Sequence, residues 1–528
     1  MFDPALFLRS ADIRGVYPNQ INEELAWLTG RYFAQSLREL LETETPCVIV
    51  GRDGRVSSPA IYAALIQGLA SEGAAPIPAG LATTDMVQWA VGTGLGGSQA
   101  GIMVTASHNP GEYNGIKAVV KNASTNGLDL LRPVDQLLPR FEQDGESGLA
   151  AVSPVVPFPQ QGRLQLQEKF VDAAVKRSSR LKMAAGKIVL DPGNGVGGLF
   201  RPLLKKSLAA LGAKVELLAV AERIDGTFPT RPSNPGLPGA VKLLQETVIA
   251  AGAQFGAAFD GDADRVFLVD EWGQFVSGSV LLAALAKNRV QQNGGQGNVV
   301  YSMVSSWLVA ETVRAAGGTP VVSRVGQDAV KVALVKKAAV FGGESSAHYN
   351  FPDTYCLDSG LFAMVTFWDM LLESGLNCSQ LLGQLRPWPS SGEVNLRVEC
   401  SDWKQMSTEI ISMLKQENSA ENANNYVLDL DGISVFHPRV PQFKTVDDVF
   451  QIDTVDDPDG KTYREVQDYT PEWWFNVRAS NNEPLLRINF ESRDASEVSG
   501  RTYLLISRIR EICADRARIA VQDWGNLK

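Results

Sequence analysis

Gly101-Ile102-Met103-Val104-Thr105-Ala106-Ser107-His108-Asn109-Pro110 is the stretch whose reading decides the fold. An apolar run leads straight into a small, turn-prone loop that carries a hydroxyl nucleophile. A strand followed by a sharp turn is a common way to present a reactive side chain at a sheet edge. The same grammar recurs down the chain. Phe255-Gly256-Ala257-Ala258-Phe259 precedes the carboxylate cluster Asp260-Gly261-Asp262-Ala263-Asp264-Arg265. Gly342-Gly343-Glu344-Ser345-Ser346-Ala347-His348 is a third small polar loop. Arg478-Ala479-Ser480-Asn481-Asn482-Glu483-Pro484 is a fourth, with the composition of an anion-binding turn.

Working outward, Cys47-Val48-Ile49-Val50 reads as a strand, followed by the loop Gly51-Arg52-Asp53-Gly54-Arg55 and a helix opening at Ser57-Ser58-Pro59. Lys187–Leu190 and Asn298–Tyr301 begin further strand-loop-helix units. Strands alternating with helices predict α/β layers with parallel or mixed sheets. A chain of 528 residues exceeds one core and calls for three to five domains at about 100–200 residues each. Ala151–Gly162 (Pro/Gln-rich) and Arg386–Gly392 (Pro/Ser-rich) read as linkers, with a softer boundary at Trp272–Gln274. The expected domains are therefore 1–155, 156–273, 274–386 and 387–528. No clean sequence repeat relates them.

The composition excludes several classes. Net charge is −10, which argues against a nucleic-acid binder. The five cysteines are odd in number, widely spaced and without a C-x-x-C pair. They read as reduced thiols of a cytoplasmic protein. No signal peptide and no membrane span is expected.

The loops carry specific chemistry. Ser107 is a nucleophile that would split one hard transfer into two easier ones. Asp260, Asp262 and Asp264 alternate, so on an extended loop they face one side. Three carboxylates there repel one another unless a divalent cation sits among them, and hard oxygen ligands suit Mg²⁺. Arg265 is expected to contact phosphate. Glu344 and Ser346 supply a carboxylate and a hydroxyl for adjacent sugar hydroxyls, with His348 beside them. Two of the chain's three histidines, His108 and His348, fall inside these loops. Together the loops describe phosphoryl transfer on a polyol.

That set, in that order, resembles the α-D-phosphohexomutase superfamily, and within it the bacterial phosphomannomutase/phosphoglucomutase branch. The resemblance runs from Ala11-Asp12-Ile13-Arg14-Gly15 to about Glu491. It implies three similar mixed-sheet α/β domains plus a C-terminal α+β domain around a central cleft. It implies a phosphoserine at Ser107, Mg²⁺ held by Ser107 together with Asp260, Asp262 and Asp264, and a hexose 1,6-bisphosphate as intermediate and activator. Arg478, Ser480, Asn481 and Asn482 resemble the phosphate clamp of the last domain. Arg14, Lys117, His108 and His348 are the acid–base candidates, unranked; a lysine among cations would have a lowered pKa. The implied partner is a phosphosugar, with the protein a monomer or homodimer. The chain departs from the family pattern at Ala263 and Ala347, where glycine is usual. It departs also at Asn482, a commoner Thr, and at Gln327, where relatives carry a His or an acid. A glucosamine-phosphate mutase, a phosphatase using Asp260 as nucleophile, and a non-catalytic relative stay open as alternatives.

His437–Thr470 fits the resemblance least. It is rich in aspartate, with Asp447, Asp448, Asp453, Asp456, Asp457 and Asp459. Asp457-Pro458-Asp459-Gly460 matches a fragment of a calcium loop, but Val455 and Val466 stand where the first and twelfth ligands belong. The expectation is an extended acidic loop or hairpin inserted before the last of the four loops, forming a solvated surface excursion.

Overall fold

Met1–Leu281 with Ser346–Leu382, and Leu282–Ser345 with Gly383–Lys528, form two compact units in the computed structural model of the chain. It describes residues 7–8, 12–121, 128–130, 135–141, 143, 165–420, 423–480 and 483–527. The expected linker 151–162, Ala11, and the clamp residues Asn481 and Asn482 lie outside them.

In the first unit, Cys47–Arg52 runs parallel to both Ala75–Leu81 and Ala100–Val104. Parallel neighbours need a crossover, and the helices Ser58–Ser71 and Thr84–Thr93 supply it. The chain reverses after Val104 and returns antiparallel as Tyr113–Lys121, and Ile13–Val16 pairs on its far edge. The Ser107 loop is thus the connection leaving a parallel strand. Ala100–Val104 is buried at every position, as a strand covered on both faces should be. The mid-helix glycines Gly30 and Gly68 have a packing reason: a Cβ on Gly30 would sit 2.3 Å from Leu65 O. A Cβ on Gly68 would sit 1.9 Å from Trp27 O, so the helices Glu23–Leu41 and Ser58–Ser71 touch backbone to backbone there.

The second sheet repeats the plan. Ala185–Asp191 is parallel to Lys214–Ala219 and Phe255–Phe259, and the chain then reverses into antiparallel Val266–Asp270. In the second unit, Asn298–Ser302 is parallel to Thr319–Ser323 and Phe341–Gly343. The aspartate loop and Glu344 each leave the strand that corresponds to Ala100–Val104. The repeat invisible in the sequence is therefore a repeat of topology.

The C-terminal sheet is antiparallel, in the order Tyr426–Leu428, Ile433–His437, Trp473–Ala479, Leu485–Ser492, Ser390–Glu399, Arg518–Asp523. The helices Trp403–Asn418 and Ala495–Cys513 pack on it through Ile410, Leu414, Ile506 and Ile509. Among the described residues no helix is long and apolar enough to cross a membrane. The five cysteines are free.

Two expectations need correction. Arg386–Gly392 is no loose linker. Its end folds into the strand Ser390–Glu399, and Trp388 donates its indole N–H to Glu311 at 2.9 Å. The aspartate-rich segment is a hairpin, as expected, with Asp447, Asp448, Asp456 and Asp459 exposed, but its strands are built into a sheet and are not a solvated excursion. Tyr463–Val466 pairs antiparallel with Thr319–Ser323, and Phe450–Gln451 pairs with it in turn. Phe450 and Tyr463 are fully buried. Lys337 pairs with Asp453 at 3.1 Å and also with Glu465. Asp453 and Asp457 spend carboxylate oxygens on the backbone N–H groups of Val455, Asp456, Thr462 and Tyr463. Asp453 and Asp457 cap turns, and Tyr463, Arg464 and Val466 of the paired strand are buried.

Glu491 is a buried acid in the second unit. It accepts from Trp474 Nε1, Trp307 N and Ser306 Oγ at 2.9, 3.0 and 3.2 Å. Burial nonetheless pushes its carboxyl up to about 7 from 4.5. The folded state thus holds this proton more tightly than the unfolded chain. Its stabilising contribution is full below about pH 4.5, falls as pH rises to about 7, and stays lost above that. Glu491→Gln keeps an acceptor and no charge. It is expected to raise stability at pH 8 by on the order of 2–3 kcal/mol and to change little at pH 4.5, measured by denaturant unfolding at both pH values.

Candidate active site

Ser107 is buried and adopts φ 50°. The left-handed conformation is costly for a side chain with a Cβ, so the loop must be held from outside. Arg55 does this. It is 1% exposed, and its guanidinium donates to the carbonyls of Ser107 and Asn109 at 2.7 Å, Tyr113 at 3.0 Å, and Pro110. Asp53 completes the frame by accepting from Arg55 Nε at 3.0 Å and Thr105 Oγ1 at 2.7 Å. Thr105 Oγ1 in turn accepts from Ser107 N at 2.9 Å. Sequence reading noted Gly51–Arg55 only as a loop. The burial of Asp53 and Arg55 that makes them a frame has no signal in the sequence.

The aspartate loop meets this frame. Ser107 Oγ donates to Asp260 Oδ2 at 3.1 Å. Gly261 permits the approach, because a Cβ there would lie 2.6 Å from Ser107 O. Asp260, Asp262 and Asp264 are all buried, with one carboxylate oxygen of each within 4.8 Å of the others. Burial and the two neighbouring carboxylates push Asp260 well above the usual carboxylate range. Burial would raise Asp262 also, but Lys117 and the Thr84 hydroxyl outweigh it and hold Asp262 low. Lys117 Nζ binds Asp262 Oδ2 and Asp264 Oδ2 at 2.8 and 3.0 Å. The Oδ1 atoms of Asp262 and Asp264 are buried and without a hydrogen-bond partner. Mutually repelling carboxylates with bare buried oxygens fit a hard divalent cation.

The expectation of a lowered Lys117 pKa fails. Burial would depress it, but Asp262 and Asp264 dominate and hold it above the ordinary lysine range. Cations surround the nucleophile: Arg265 Nε lies 3.7 Å from Asp260 Oδ2, and Arg14 binds Asn109 Oδ1 at 2.6 Å and also Asp12. His108 Nδ1 is 3.4 Å from Ser107 Oγ. Arg265, then burial, then Arg14 drive its pKa well below 6.5, so it is a neutral and weak base.

His348 joins this cluster. Its Nδ1 donates to Asp358 Oδ2 at 2.8 Å and lies 3.9 Å from Asp264 Oδ1. Ala347 and Ala263 sit at φ 70° and 62°, so both alanines stand where the backbone favours glycine. Ser346 is half-buried in the first unit. Glu344 belongs to the second unit, where its carboxylate accepts from Gly326 N at 2.9 Å and Gln327 Nε2 at 2.7 Å. Also in the second unit, Arg478 binds Glu393 at 3.4 Å, and Ser480 N donates to Leu485 O. Thus the structure brings together Arg14, Ser107, His108, Lys117, the three aspartates, Arg265 and His348. Asp53, Arg55, Thr84 and Asp358 are the supporting residues that sequence reading missed.

Comparison with known proteins agrees with the fold. The family models "Phosphoglucomutase/phosphomannomutase, alpha/beta/alpha domain" I, II and III match residues 6–136, 168–273 and 277–387. The C-terminal domain model of the same family matches 442–500. The chain is 32% identical to a phosphomannomutase of Escherichia coli K12 over 95% of its own length and 98% of that protein's. It is 30% identical to the phosphohexose mutases of Xanthomonas campestris over 95% and 98%. A crystal structure of a phosphoglucomutase/phosphomannomutase family protein from Burkholderia thailandensis shares the fold. Its TM-score is 0.76 at 24% identity, covering 98% of this chain and 100% of that one. The chain belongs to the phosphoglucomutase/phosphomannomutase family of four-domain phosphohexomutases, and is an isomerase of the phosphotransferase type acting on hexose phosphates.

Proposed function

We propose that the protein interconverts the 6- and 1-phosphates of mannose, glucose or both, with Ser107 as the phosphoryl carrier. The observation that carries this reading is Ser107 Oγ, 3.1 Å from Asp260 Oδ2 in a buried loop ringed by Arg14, Lys117 and Arg265. A phosphoserine there would bear about −1.5 to −2 charges, and those three cations oppose it. The O–P bond at Ser107 breaks as a hexose hydroxyl forms its own, giving a hexose 1,6-bisphosphate. The bisphosphate reorients, and its other phosphoryl group returns to Ser107. His348 is the best-placed acceptor for the hydroxyl proton: Asp358 occupies its Nδ1, which leaves Nε2 to receive it. Lys117, held as an ammonium, serves instead as a fixed charge. Asp260, Asp262 and Asp264 would hold Mg²⁺, which when bound draws charge from a phosphoryl oxygen.

In this reading Glu344 and Ser346 recognise sugar hydroxyls. Arg478, Ser480, Asn481 and Asn482 hold the phosphate that does not react. We assign the four domains to 1–155, 156–273, 274–386 and 387–528, and the protein to the cytoplasm as a monomer or homodimer.

The test is a substrate panel. Purified protein is given mannose, glucose or glucosamine 1-phosphate with Mg²⁺ and a trace of hexose 1,6-bisphosphate. Conversion of mannose or glucose 1-phosphate to the 6-phosphate is expected. Turnover of glucosamine phosphate alone would reassign the sugar. Release of inorganic phosphate without isomerisation would replace the mutase by a phosphatase with Asp260 as nucleophile.

A further inference from the structure

Arg324–Gln327 links three parts of the second unit through four consecutive residues. Arg324 N donates to Thr462 O at 2.9 Å. Val325 N donates to Asp431 Oδ2 at 2.9 Å. Gly326 N and Gln327 Nε2 then take the two oxygens of Glu344 at 2.9 and 2.7 Å. Gly326 needs its glycine, since φ is 121°. Glu344 is only 4% exposed, so these two donors fix the plane of its carboxylate. Asp431 faces the other way as well. Its carbonyl accepts from Asn476 Nδ2 at 3.0 Å, and Asn476 lies on the strand Trp473–Ala479 that carries Arg478. A continuous hydrogen-bonded path therefore runs from the strand of Arg478 to Glu344.

We propose that Gln327 and Asp431 are positioning residues that orient the Glu344 carboxylate and thereby set hexose selectivity. The proposal rests on Glu344 reading sugar hydroxyls, as above. The chemistry of the side chains suits the task. An amide gives the carboxylate an N–H without neutralising it, so Glu344 keeps its charge for a substrate hydroxyl. A second carboxylate at position 327 would repel Glu344. Asp431 fixes the backbone that aims both donors, so it acts one step further back.

The experiment measures kcat and KM for mannose 1-phosphate and glucose 1-phosphate, with thermal unfolding alongside. Gln327→Ala is expected to raise KM about 10-fold, the equivalent of one lost hydrogen bond to a charged group. The rise should be unequal for the two sugars, with kcat and the thermal midpoint near wild type. Gln327→Glu should be worse than Gln327→Ala. Asp431→Ala should move selectivity in the same direction, and Asp431→Asn, which still offers an oxygen to Val325 N, should restore it. Glu344→Ala is the control. If it is impaired while Gln327→Ala keeps wild-type KM and sugar ratio, the proposal is overturned. An equal loss for both sugars with a lowered midpoint shows a structural role and overturns it too. If Glu344→Ala itself has wild-type kinetics, the reading of Glu344 as a sugar contact fails instead.

Discussion

Ser107→Ala is expected to cut mutase turnover by several orders of magnitude while the fold stays intact. The variant loses the hydroxyl that the proposed mechanism uses to accept and return the phosphoryl group. Losing a covalent carrier cannot be compensated by binding, because the remaining groups only stabilise and orient. Stability should hold, since the loop is framed by Arg55 and Asp53 through backbone carbonyls, not through the serine hydroxyl. Alanine also tolerates φ 50° no worse than serine does. Intact-mass measurement should find one phosphoryl group on the wild type after exposure to hexose 1,6-bisphosphate and none on the variant. Near-normal turnover in Ser107→Ala would remove the carrier mechanism.

Asp262→Asn carries the second large effect. Asp262 is fully buried, binds Lys117 through Oδ2, and leaves Oδ1 without a partner. Changes outside a metal's own ligands already cost about 10–100-fold in affinity, so loss of a ligand carboxylate should exceed that. The amide also leaves Lys117 with Asp264 as its remaining partner, and the thermal midpoint should fall. Titration calorimetry with Mg²⁺ reads the first effect without any assay of turnover, and thermal unfolding reads the second. Unchanged Mg²⁺ affinity in Asp262→Asn would separate these carboxylates from any metal.

Much of this architecture was legible because it is local. The strand Cys47–Arg52, the turn at Ser107 and the run Asp260–Asp264 each show their character within about ten residues, where periodicity and turn chemistry operate. What escaped was long-range. Arg55 matters because it reaches four carbonyls more than fifty positions away, and nothing in Gly51–Arg55 says so. Lys117 reads as a potential base on the expectation that cations surround it, yet its charge is set by carboxylates 145 and 147 positions away. Asp447, Asp448, Asp456 and Asp459 do face solvent. What their sequence does not reveal is the long-range pairing of Tyr463–Val466 with Thr319–Ser323, which builds the hairpin into a sheet. Ala263 and Ala347, by contrast, stand out because the family pattern has glycine there, and both do adopt positive φ.

The three loops that follow Val104, Phe259 and Gly343 occupy equivalent places in three sheets of one plan. Equivalence of scaffold with difference of content makes the protein modular toward mutation. Each loop leaves its own strand, but the loops at Ser107 and Asp260–Asp264 touch, so a substitution in one of them is felt by the other. In the proposed reading, Glu344 can vary for new sugars while Ser107 and Asp260–Asp264 change only together. For an engineer, the same division makes 344–346 the segment to randomise, and leaves His348 and 105–109 untouched.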